Sequence, residues 1–148
     1  MAAVALPAPS VVPRHDRPKH DGTSHCPSSV RILFEQARQG LLDAEYAERP
    51  LDRYAQAHRA ALRAAAAVLA AQTLPRRRRR PTSAWVLLAT VAPELAEWSR
   101  LFAASSATRA AAEAGVAHLV TARDADDLVR QAVEFLPLAW QAAARTSR

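Results

Sequence analysis

Residues 50–72 read PLDRYAQAHRAALRAAAAVLAAQ, and this stretch decides the fold. Pro50 suits the first turn of a helix, where the amide it lacks would be unpaired in any case. Leu51, Tyr54, Ala55, His58, Ala61, Leu62, Ala65, Val68 and Leu69 then recur at helical spacing and make one apolar face. The alanines in that face let a neighbouring helix come close. The spacing predicts a helix from Pro50 to about Gln72, packed on at least one side.

The same signals continue on both sides. Toward the N-terminus, Val30, Leu33, Phe34, Ala37, Leu41 and Ala44 form a stripe that predicts a helix from Ser28 or Ser29 to about Tyr46, with a serine hydroxyl capping its first amides. Gly40 interrupts the stripe at about 1 kcal/mol against alanine and suggests a close helix contact. Toward the C-terminus, Ser83 is placed to cap a third helix carrying Trp85, Leu88 and Val91. Pro93 should kink or break that helix, and Leu95, Trp98, Leu101 and Phe102 carry its apolar surface on to about Ala104. A short helix is expected over Ala107 to Ala114, closed by Gly115 as a left-handed cap. Thr121-Ala122-Arg123-Asp124 reads as a capping box with Asp in the place of the usual Glu. Asp124, Asp126 and Asp127 add negative charge where a helix N-terminus favours it. Ala125, Leu128, Ala132, Phe135, Leu136 and Ala139 give that last helix its core face, and Pro137 should bend or end it. The fold class is therefore all-α, a bundle of four to five helices, kinked or broken at Pro93 and Pro137.

Composition agrees. Three glycines in 148 residues, abundant alanine and few β-branched residues favour helix throughout. The eight aromatic residues all fall in predicted helices and read as core anchors rather than stacking platforms for bases. Residues 1–27 hold Pro7, Pro9, Pro13, Pro18 and Pro27 with no hydrophobic period, and are expected to be a disordered tail. His15, His20 and His25 repeat there beside Cys26, a spacing that fits no structural zinc pattern, so no metal site and no cofactor is expected. A single cysteine excludes an internal disulfide and fits a reducing compartment. Residues 2–12 lack the charge and continuity of a signal peptide, and the longest alanine run is too short to span a bilayer. A cytoplasmic location without membrane contact is expected.

Charge is localised. Lys plus Arg number 20 against 14 Asp plus Glu, and Arg76, Arg77, Arg78, Arg79 and Arg80 alone supply five of the net six positives. Residues 29–74 carry six positives and five negatives, and residues 82–148 carry six and seven. Guanidinium groups stay charged, so this run, bounded by Pro75 and Pro81, must be an exposed link between helices, an Arg-rich loop over residues 75–81. Such a loop binds phosphates with strong salt dependence and little sequence preference. It would attract an acidic protein by the same physics. Nineteen of the twenty basic residues are arginine, a skew across the whole chain that marks no one residue, but five in a row exceed it.

One pair has the composition for metal-independent RNA cleavage. Arg53 could hold a phosphate, and His58 could move protons near neutral pH. Five residues along a helix turn them about 140° apart, so they share no cleft within one chain. Only a cleft between two copies could use both. His58 falls on the apolar face, where packing is its ordinary role, and Arg53 points outward. His118, between Gly115 and Thr121, is a loop histidine. Glu94, Glu97 and the Asp cluster read as solvated faces and a helix cap.

Taken together, the YAQAHRAALRAAAAVLA stretch at 54–70, the arginine run followed by PTSAW, VAPELAEW at 91–98, and ARDADDL at 122–128 with EFL at 134–136 resemble the SAV_6107-like proteins, an actinobacterial HEPN-domain family. The resemblance implies a HEPN-like helical domain over residues 28–144, often found as a homodimer. It also implies either a metal-independent endoribonuclease or a non-catalytic module that binds RNA or a nucleic-acid-associated protein. Catalytic members carry an arginine and a histidine with four to six residues between them, near the start of the last core helix. Here neither Arg123 nor Arg130 is followed by a histidine, and the match is Arg53 with His58 in the second helix. The reading favoured is a small cytoplasmic HEPN-like module, not itself catalytic, that binds RNA or a nucleic-acid-associated partner through Arg76–Arg80. The alternatives are a ribonuclease using Arg53 and His58 across a dimer cleft, and a structural adaptor docking an acidic protein.

Overall fold

The computed structural model describes residues 26–72 and 83–147. Five α-helices follow in order: α1 (Ser28–Tyr46), α2 (Pro50–Ala71), α3 (Ala84–Val91), α4 (Ala96–Glu113) and α5 (Ala122–Thr146). Short 3-10 turns at Pro93–Leu95 and Ala117–Leu119 join the later helices. No strand occurs among the described residues. The Arg76–Arg80 run and residues 1–25 of the expected tail lie outside them. Cys26 packs, partly buried, against the core at the foot of α1.

The central helix is α2. Ala57, Ala60, Ala61, Ala64, Ala65 and Ala67 are all fully buried. Their small side chains let α1 and α5 pack closely on two sides of α2, where the most extensive helix contacts occur. Gly40 of α1 meets Ala60 at one such approach. On the side of α2 that carries His58, an aromatic cluster fixes α3, α4 and α5. Trp85 stacks on Phe102 with ring centroids 5.2 Å apart, and Phe102 meets Phe135 at 5.1 Å. Trp98 closes the cluster. Each fully buried phenylalanine contributes about 1.5–3 kcal/mol. Phe34 meets Trp140 edge-on at 5.0 Å and ties α1 to α5.

Local chemistry explains most boundaries. The Ser83 hydroxyl accepts from the Trp85 amide and starts α3. Pro93 separates α3 from α4, as the missing amide requires. The Asp124 amide donates to the Thr121 hydroxyl and the Thr121 amide to the Asp124 carboxylate, completing the capping box of α5. Gly115, with φ +121°, ends α4. Its amide bonds the Ala112 carbonyl, and the Val116 amide reaches Ala111, the two bonds of a Schellman cap.

Other expectations are corrected. No serine caps α1. Pro27 occupies the cap position, and its carbonyl receives the Val30 and Arg31 amides. The expected interruption between Ala104 and Ala107 is absent: α4 runs unbroken from Ala96 to Glu113, and Ser99, Ser105 and Thr108 satisfy their hydroxyls on carbonyls four residues back. Of the bend or end expected at Pro137, the helix does not end: α5 continues through it. Pro137 and Val133, whose carbonyl loses its partner, both lie on the exposed side, where water can take that carbonyl. Tyr46, 85% exposed, and Trp140, 42% exposed, are not core residues.

Candidate functional site

The start of α2 is held by Arg53. Its Nε and Nη2 donate to the Ala47 carbonyl at 3.1 and 2.9 Å, and Nη1 donates to the Asp126 carboxylate of α5. The outward direction expected from the helical wheel is therefore wrong. The chain turns back between α1 and α2, and this guanidinium serves the Ala47 carbonyl at the end of α1, a helix with no basic residue in its last turn. Asp126, expected to favour its own helix N-terminus, pairs with Arg53 instead.

Five residues along α2 from Arg53, His58 is 1% exposed. Its Nε2 lies 3.2 Å from the Phe102 carbonyl, which fixes the proton on Nε2. The ring meets Trp85 edge-on at 5.9 Å. Its Nδ1 is buried and has no partner among the described residues. Burial holds its pKa below the ordinary 6.5, and the Arg109 guanidinium acts in the same direction. The Phe102 carbonyl and Glu113 oppose, and Arg59 depresses the pKa slightly. At neutral pH the ring is an uncharged hydrogen-bond donor inside the bundle. The structure does not bring Arg53 and His58 together: one is anchored toward α1 and α5, the other toward α3 and α4.

His118 is exposed in the 3-10 turn before α5. Glu94 pairs with Arg145 across the surface, and Glu97 stands in the first turn of α4. Among the described residues no three of His, Cys, Asp and Glu converge as a metal site requires. No helix of the described residues is long and apolar enough to cross a membrane. Sequence reasoning missed Arg109 and Gln56, each with a buried polar atom lacking a partner among the described residues. Both sit in alanine-rich helical sequence, and nothing local distinguishes them from ordinary surface residues.

The arrangement is that of a small all-helical bundle with near-neutral described helices and a strongly basic link between its second and third helices. The family model of SAV_6107-like HEPN proteins matches residues 44–139, from the end of α1 through most of α5, and the chain belongs to that family. No curated protein and no solved structure matches it.

Proposed function

We propose that this protein is a non-catalytic RNA-binding HEPN module whose main phosphate contact is the run Arg76–Arg80. The observation that carries the reading is charge placement: five of the net six positives fall in one stretch between α2 and α3. Arginine holds phosphate oxygens with two parallel hydrogen bonds, and each contact releases counterions. The burial of His58 and the engagement of Arg53 favour binding over cleavage. A nuclease would need both groups at one accessible phosphate.

The test is titration of a labelled single-stranded RNA at several salt concentrations, into the wild type and a variant with all five arginines replaced by serine. Five contacts give a log–log salt slope of about −3.5, an upper figure that assumes every arginine touches a phosphate. The variant should lose most of the affinity at low salt. Equal affinities overturn the reading, and retention of an acidic protein by the wild type alone would then favour the adaptor. Loss of RNA integrity in EDTA with the wild type, abolished in both Arg53→Ala and His58→Ala, would replace binding with catalysis.

A further inference from the structure

The central helix is nearly enclosed. Its exposed positions are Asp52, Arg59, Arg63 and Ala70, one stripe running the length of α2. Asp52 is paired with Arg49 at the helix start. Arg59 and Arg63 follow one turn apart, about 6 Å along the axis. The stripe leads to Gln72, the C-terminal cap of α2, and the arginine run begins four residues beyond it in sequence.

These two arginines differ from most others in the described chain. Arg38, Arg49, Arg53, Arg109, Arg130 and Arg145 each pair with a carboxylate. Arg59 and Arg63 form no ion pair among the described residues, yet they line one depression with Gly40, Asp43 and Gln56. Its volume is about 190 Å3, several water volumes and enough for one phosphate group. Arg63 lies beside Gly40 of α1, whose added Cβ would sit 3.5 Å from Nη1, an ordinary contact. The side-chain oxygen of Gln56 is buried with no partner among the described residues. Half a turn about its last torsion exchanges that oxygen for an NH2 donor. The opposing charge is Asp43, whose carboxylate accepts from Gln39 at 3.1 Å.

We infer that Arg59 and Arg63, with Gln56, form a phosphate-contact site on the exposed stripe of α2, a contact for the RNA backbone separate from the Arg76–Arg80 run. The inference rests on the RNA-binding reading above. It adds a second element to the contact, one carried by the described bundle itself.

The experiment follows fluorescence anisotropy of a labelled 20-nucleotide polyuridine against salt, with four full-length proteins. These are the wild type, Arg59→Gln/Arg63→Gln, Asp43→Asn and the five-serine loop variant. The double variant should bind more weakly and flatten the log–log salt slope by about 1.4, two contacts at about 0.7 each. Removing the Asp43 charge should tighten binding several-fold at low salt. A double variant with wild-type affinity and slope, beside a loop variant that has lost binding, overturns the α2 site and leaves the loop reading intact. A loop variant that binds like wild type, beside a double variant that does not, removes the loop and keeps α2. A wild type that does not bind polyuridine removes both. Should the double variant lose its helical circular dichroism, Asp43→Asn decides: unchanged affinity overturns the α2 site.

Discussion

At the scale of the residue, His58 and Arg53 divide the work that a catalytic pair would share. Truncating His58 to alanine leaves a cavity beside Trp85 and removes a donor from a buried carbonyl. About 2–4 kcal/mol of stability should be lost. Arg53→Ala removes bonds to the Ala47 carbonyl and a half-exposed ion pair, and should cost about 1–2 kcal/mol. Thermal unfolding of both variants tests this, and a neutral Arg53→Ala would mean that its clasp is idle. His58 also gives the fold a pH dependence. Its folded pKa lies below 6.5, so the unfolded chain takes up the proton first as pH falls. The stability that depends on a neutral ring is complete above about pH 6.5 and is lost as pH falls through the folded pKa, by at most about 1.4 kcal/mol per pH unit. His58→Gln keeps a donor without a titration in this range. Its denaturant midpoint should vary less between pH 7 and pH 5 than that of the wild type, and identical pH profiles would refute the assignment.

At the scale of the element, α1 against α2 is the informative contact. A β-carbon at Gly40 would meet the Ala60 Cβ at 3.4 Å and Arg63 Nη1 at 3.5 Å, ordinary van der Waals contact. Gly40→Ala should therefore fit and recover helix propensity, stabilising the protein by up to about 1 kcal/mol. A lower melting temperature would show that this approach tolerates no added atom. The boundaries that were legible in sequence are those set by groups a few residues apart: the Thr121 capping box, the Gly115 cap and the break at Pro93. Those that were misread needed context. The cap of α1 falls to Pro27 rather than a serine, and α4 runs unbroken through Ala104–Ala107, where the expected interruption is absent.

At the scale of the whole molecule, the bundle leaves apolar surface uncovered. Ile32, Leu42 and Tyr46 on α1, and Val133, Leu138 and Trp140 on α5, are all more than a third exposed. A groove of about 570 Å3 between these helices is lined by Phe34, Leu136, Pro137 and Trp140, with Arg31, Glu35 and Arg38 at its edges. Such a surface supports association into a two-fold homodimer. Light scattering at micromolar concentration should give twice the 16.0 kDa chain mass, and a monomer across that range would oppose it.

What the sequence by itself determined is carried by short-range chemistry: helix periods, the caps at Ser83, Gly115 and Thr121, the proline break, the burial of His58 on an apolar face, and the concentration of charge at 76–80. Periodicity and capping act over one or two turns, so one strand of text contains them. Tertiary structure alone decided who meets whom. Arg53 finds Asp126 seventy-three residues away, His58 finds the Phe102 carbonyl forty-four residues away, and Arg63 rests beside Gly40 across a helix interface. The physical reason is that α-helices of similar composition offer many near-equivalent faces. Which face a side chain shares is fixed only when alanine-lined helices close to contact distance and most buried polar groups find partners there.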